Sequence, residues 1–193
     1  FNDSQGGIYG WRRMQVIDCY FHLQQNATCI VMRGRYQCRG LIVANNLADI
    51  GGRLFKYVPE GPADAPFSNN GKGGGLTCAA FTGNTALSQG GGAAYVLLGS
   101  AGGPGYYENV SITGNCFGGS DRTYEVDPPD GCDGKDKVKR CDYAIKVDNP
   151  AIVRGLSISG NSFAYFNQNA INIGGSNKDG IAITGNNCQD ICL

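Results

Sequence analysis

Short stretches in which apolar and small polar residues alternate recur along this chain. Val110-Ser-Ile-Thr-Gly-Asn-Cys-Phe117 aligns with Leu156-Ser-Ile-Ser-Gly-Asn-Ser-Phe163 and with Ile181-Ala-Ile-Thr-Gly-Asn-Asn-Cys188. Looser copies begin at Met14, Leu41 and Ala79, giving six units. Alternation with a period of two is the mark of a strand with one buried face, so each unit is expected to open with a strand. The Gly-Asn that follows, as at Gly114-Asn115, supplies residues that tolerate positive φ and turn the chain.

A second alternating segment follows each of the first five units, over 29–32, 55–57, 94–97, 144–147 and 170–173. The units are spaced 27, 38, 31, 46 and 25 residues apart from Met14 to Ile181. The shortest spacings define a bare coil, and the excess falls in two places, near 58–75 and 118–142, which are expected to project as loop insertions. The pattern predicts an all-β, right-handed parallel β-helix of about six coils, a single domain over residues 1–193, belonging to a longer chain.

Stacked coils would bring equivalent residues into columns about 4.8 Å apart. One column is aliphatic and aromatic: Val16, Val43, Phe81, Ile112, Ile158 and Ile183. A second is asparagine: Asn46, Asn84, Asn115, Asn161 and Asn186. A buried amide is costly unless bonded, so this column is expected to hold the turn register, each side chain bonding to the next.

Composition narrows the possibilities. Thirty-one glycines without a three-residue period fit turns. The formal net charge is zero and the basic residues are scattered, which argues against nucleic acid as a partner. No apolar run is long enough to span a bilayer, so membrane insertion is not expected. Nine cysteines favour an oxidising setting, extracellular or on a virion surface, and the odd count leaves at least one thiol free or joined to another chain.

Through the Val/Leu/Ile-x-Ile-x-Gly-Asn-x-Phe units and the Ala-Ile-x-Ile second strands, the chain resembles the pectate-lyase-like superfamily of right-handed β-helices. In its irregular insertions and in Phe163-Ala-Tyr-Phe-Asn-Gln-Asn-Ala-Ile-Asn-Ile173 it is closest in character to bacteriophage tailspikes and depolymerases. The resemblance implies a β-helical segment of a virion protein, homotrimeric or part of a larger virion assembly, that binds and in some forms degrades host-surface polysaccharide. Two alternatives go with it: a structural or decorating virion component cross-linked by disulfides, and a secreted polysaccharide lyase or epimerase. If the chain is an enzyme, it is expected to be a lyase or glycoside hydrolase, although no catalytic residues can be assigned.

Candidate site residues follow from chemistry. Tyr106 and Tyr107, in Gly-Pro-Gly-Tyr-Tyr, could stack on sugar rings from a loop or pack that loop onto the coils. Lys56, Val96, Lys146 and Asn172 are placed along one outer face of the second strands, where the lysines would suit an anionic glycan. Arg122 could neutralise a carboxylate. Asp127, Asp130, Asp133 and Asp136 supply hard oxygen ligands suited to calcium, and no other cofactor is expected. A Cys132–Cys141 disulfide would close a short loop. His22 reads as a surface or turn residue and Asp18 as a turn residue.

Overall fold

The structure, a computed structural model, describes residues 13–22, 27–34, 37–49, 53–59, 74–88, 94–99, 105–119, 142–148, 152–166, 168–175 and 178–191. These residues form a right-handed parallel β-helix built from three sheets, all of whose strand pairs are parallel. The first coil comprises β1 (Gln15–Ile17), β2 (Tyr20–His22) and β3 (Thr28–Gly34). The second contains β4 (Gln37–Arg39), β5 (Ile42–Ala44), β6 (Leu47–Asp49) and β7 (Arg53–Pro59). Longer strands follow in the third, β8 (Gly75–Thr82), β9 (Thr85–Ser88) and β10 (Ala94–Leu98), and in the fourth, β11 (Tyr106–Thr113), β12 (Cys116–Gly119) and β13 (Tyr143–Val147). The fifth holds β14 (Ile152–Arg154), β15 (Ser157–Ser159), β16 (Ser162–Phe166) and β17 (Ile171–Ile173). The last holds β18 (Lys178–Asp179), β19 (Ala182–Thr184) and β20 (Asn187–Ile191).

The first sheet contains β1, β4, β5, β8, β11, β14, β15, β18 and β19. The second runs β2-β6-β9-β12-β16-β20 and the third β17-β13-β10-β7-β3. Register in the first sheet aligns Val16, Val43, Phe81, Ile112, Ile158 and Ile183, so the expected apolar column is present residue for residue. The third sheet is the expected set of second strands. The second sheet is an addition to the sequence reading: its short strands follow directly on the ladder positions, giving each of the first five coils three sides. Its inward column is Phe21, Ala48, Ala86, Phe117, Phe163 and Cys188.

The backbone explains why each coil keeps its shape. Positive φ occurs at Arg13, Gly40, Cys78, Asn109, Gly155 and Gly180, and again five residues later at Asp18, Asn45, Gly83, Gly114, Gly160 and Gly185. Every coil therefore turns the same way at two fixed points five residues apart, the first of which falls inside the longer strands β8 and β11, at Cys78 and Asn109. Glycine, Asn and Asp populate this left-handed region most readily, which accounts for most of the residues found there. Asp18 is thus a turn residue, as its place after the first strand suggests.

The asparagine column is a continuous hydrogen-bonded ladder. Asn46 Nδ2 donates to Asn84 Oδ1 at 2.9 Å and to the Val16 carbonyl at 2.9 Å, while the Asn46 backbone N–H donates to the same Oδ1 at 3.1 Å. The scheme repeats from Asn84 to Asn115, Asn115 to Asn161 and Asn161 to Asn186. Cys19 holds the position in the first coil, where its backbone N–H donates to Asn46 Oδ1. Both hydrogens and both lone pairs of each interior amide are engaged, which removes the usual cost of burying it.

Aromatic side chains fill the interior. Phe117 lies stacked between Tyr95 (5.6 Å between centroids, 12° between planes) and Phe163 (6.2 Å, 15°), and Phe55 meets Phe81 edge-on at 4.8 Å. The Tyr95 hydroxyl donates to the Gly118 carbonyl at 2.7 Å, so this buried phenol is satisfied.

Candidate functional site: the outer face of the third sheet

Where the third sheet begins, two consecutive residues turn into the core: Cys29 and Ile30, Leu54 and Phe55, Tyr95 and Val96, Ala144 and Ile145. The next position faces outward, and register aligns Val31, Lys56, Leu97, Lys146 and Asn172 along the stacking direction. Val96 therefore belongs to the core, paired with Phe55 and Ile145, and Leu97 takes the outward place that the sequence reading gave it. Lys56 and Lys146 stand two strand spacings apart, roughly 9.6 Å.

The two lysines differ in their surroundings. Lys146 Nζ is 3.6 Å from Asp148 Oδ1 and lies over the Tyr143 ring at 5.5 Å. Lys56 has no carboxylate within ion-pair distance among the described residues. Its ammonium is pushed below the ordinary lysine range, first by partial burial and then by the positive charges of Arg53 and Arg33. The charges of Arg53 and Arg33 thus act on Lys56 at one patch, while the outward Val31 and Leu97 beside them are buried. Removing water from like charges raises their mutual repulsion and favours an incoming anion. Arg33 and Arg53 were not among the sequence candidates; Arg53 precedes Lys56 by three residues on β7, and coil stacking brings Arg33 of β3 to the same patch.

The remaining candidates fall elsewhere. Tyr106 and Tyr107 open strand β11 and are only 2 % and 0 % exposed, so neither presents a ring for stacking; Tyr107 packs into the solenoid in register with Leu76 and Val153, whereas Tyr106 is buried outside the core cluster. Tyr107 meets Tyr57 edge-on at 6.2 Å, and its hydroxyl is buried with no hydrogen-bond partner among the described residues. Its pKa is raised well above the ordinary phenol value, by burial first and by Tyr57 and Asp148 next. Arg122, Asp127, Asp130, Asp133, Asp136 and the Cys132–Cys141 pair lie outside the described residues. Among the described residues no group of three His, Cys, Asp or Glu side chains is placed to hold a metal ion. His22 is exposed on β2 with its Nδ1 3.4 Å from the Tyr20 hydroxyl.

Cys19, Cys29, Cys38, Cys78, Cys116 and Cys188 are free thiols. Cys78, Cys116 and Cys188 are exposed, whereas Cys29 and Cys38 are buried. Burial pushes the Cys29 thiol up to about 12, a backbone hydrogen bond offsetting part of the rise. Because the folded pKa exceeds the ordinary value of 9.0, the thiol's contribution to stability is complete below pH 9 and is lost as pH rises towards 12. Alkylation of the native protein near pH 8 is expected to modify Cys78 and Cys116 and spare Cys29, as peptide mapping would show. The Cys29→Ala variant should lose less stability than the parent between pH 9 and 11 in denaturant titrations.

Compared with protein-family models, curated proteins and solved structures, the chain gives no match to any of them.

Proposed function

We propose that this chain is a β-helical segment of a tailspike-like virion protein that binds acidic host-surface polysaccharide along the outer face of its third sheet. The observation that carries the reading is the half-buried Lys56 ammonium, flanked by Arg33 and Arg53 and lacking a carboxylate partner among the described residues. A chain with no net charge that nevertheless concentrates three cations on a rigid sheet face has a local, not a global, attraction for anions. Lys146 extends the cationic line along the axis, in the direction an extended polymer would follow.

Binding of polygalacturonate, with neutral dextran as control, tests this by calorimetry at low and moderate salt. The Lys56→Met variant is expected to lose about tenfold in affinity for the polyanion, the scale of one charge-assisted contact. It should melt no lower than the parent, because it removes a charge the fold disfavours. Lys178→Met, at the far edge of the first sheet, should bind as the parent does. Affinity of the parent should fall with rising pH below the range of an ordinary lysine, since the attraction ends once Lys56 deprotonates; Lys56→Arg should abolish that fall. Equal binding by parent and Lys56→Met, or equal uptake of dextran, would refute the assignment.

A second reading, a structural virion component cross-linked through cysteine, is favoured by the exposed thiols of Cys78, Cys116 and Cys188. Disulfide-linked oligomers on non-reducing electrophoresis of the particle, abolished by Cys78→Ser and Cys116→Ser, would place it ahead.

A further inference from the structure

Among the described residues the large apolar side chains left exposed are Ile17, Tyr20, Leu47, Leu87 and Ile183. The first four gather on one side of the solenoid. Tyr20, 62 % exposed, and Leu47 are in register on the outer face of the second sheet. Leu87 stands on the same face in the third coil, one outward column across, and Ile17 precedes Tyr20 by three residues at the corner with the first sheet. Exposed apolar residues scattered singly are ordinary, whereas a contiguous row of them marks a surface that another molecule covers.

The other half of this face is shallow. Beyond the third coil one outward column continues as Cys116, Ser162 and Asn187, and the next as Gly118, Ala164 and Gln189. No base guards either half. The six strands of the second sheet contain no lysine, arginine or glutamate, whereas outward positions of the third sheet carry Lys56 and Lys146. Exposed sheets are ordinarily kept from associating by such charges.

We propose that the outer face of the second sheet pairs with the same face of a second copy of this chain. The two solenoids run antiparallel about a two-fold axis that lies along the strands between the third and fourth coils. The step from bulky to small residues, between Leu87 and Cys116, sets the position of that axis. A two-fold there lays Leu47 of one copy over Ser162 of the other and Tyr20 over Asn187, and every contact occurs twice, as an isologous interface requires. Parallel pairing would set ridge upon ridge and hold the shallow halves apart. Six strands about 4.8 Å apart, with a face about 16 Å wide, offer about 450 Å² on each copy. The pair therefore buries about 900 Å² in all, the size of a weak, reversible interface. The third sheets stay outside the contact, so the pairing does not rest on the polyanion reading.

Sedimentation equilibrium of the 193-residue chain under reducing conditions tests this. A monomer–dimer equilibrium with Kd of about 10 to 100 μM is expected, as suits so small an interface. Leu47→Lys on the ridge and Ser162→Arg on the shallow half should each weaken it about tenfold or more, while melting as the parent does at concentrations where both are monomeric; both positions are exposed. For direction, Leu47→Cys and Ser162→Cys chains, each in a Cys78→Ser, Cys116→Ser, Cys188→Ser background, are mixed and treated with a short bis-maleimide. Peptide mapping should find position 47 of one chain joined to position 162 of the other. Three results would overturn the proposal: a monomer at all concentrations up to about 1 mM, a dimer that neither charged variant weakens, or links joining 47 to 47, which would mean a parallel assembly.

Discussion

Replacing Asn115 by leucine is expected to destabilise the protein by about 4 to 6 kcal/mol, more than any other single polar substitution in the solenoid. The side chain is of similar size, so the loss comes from the ladder. The Asn84 backbone N–H and one Asn84 Nδ2 hydrogen lose their common acceptor, the Phe81 carbonyl loses a donor, and Asn161 Oδ1 keeps only one of two. Each buried group left without a partner costs about 1 to 3 kcal/mol. The same change at Asn186, where the ladder ends and solvent can substitute, should cost about 1 to 2 kcal/mol. Denaturant unfolding of the two variants checks the gradient; equal losses would mean that the amides act only through local turn preference.

The second large effect is expected at Phe117. Truncation to alanine empties the space between Tyr95 and Phe163, and removes the ring over which the Tyr95 phenol is held as it donates to Gly118. Core Phe-to-Ala changes cost about 3 to 5 kcal/mol, because a rigid surround cannot collapse into the void. In a solenoid the surround is tied on both sides by strand pairing, which places this site at the upper end of that range. Thermal melts should show a fall on the order of 10 °C, and Phe117→Leu should recover about half of it.

The core columns were readable from sequence because the inward residue of each first-sheet strand is a large apolar one between small polar neighbours, so the period-two pattern fixes both face and register. The second sheet left no such trace. Most of its strands are short and contribute a single inward residue, sometimes only alanine as at Ala48 and Ala86, and a single residue carries no alternation. The one-residue error at Val96 has a related cause. Ala94 to Leu98 is apolar throughout, and the corner that turns both Tyr95 and Val96 inward interrupts the alternation. Tyr106 and Tyr107 were misplaced by the Gly-Pro-Gly before them, which reads as a loop although strand β11 begins at once. Lys56 and Lys146 could be proposed from sequence, whereas Arg33, one of the two guanidinium groups acting on Lys56, becomes its neighbour only through stacking.

The two left-handed turns, always five residues apart, bear on how such a surface can vary. The turn-strand-turn module, followed by Cys19 in the first coil and by Asn in the other five, keeps its length in every coil, while the whole interval between units ranges from 25 to 46 residues. Closing a longer connection costs little, about 0.6 kcal/mol for each doubling of its length. A stretch inserted between the third sheet of one coil and the first sheet of the next therefore taxes the scaffold less than the loss of one ladder amide. Recognition and folding are thus written in separate parts of the chain, and connections can lengthen, shorten or be exchanged while the stack beneath them keeps its register.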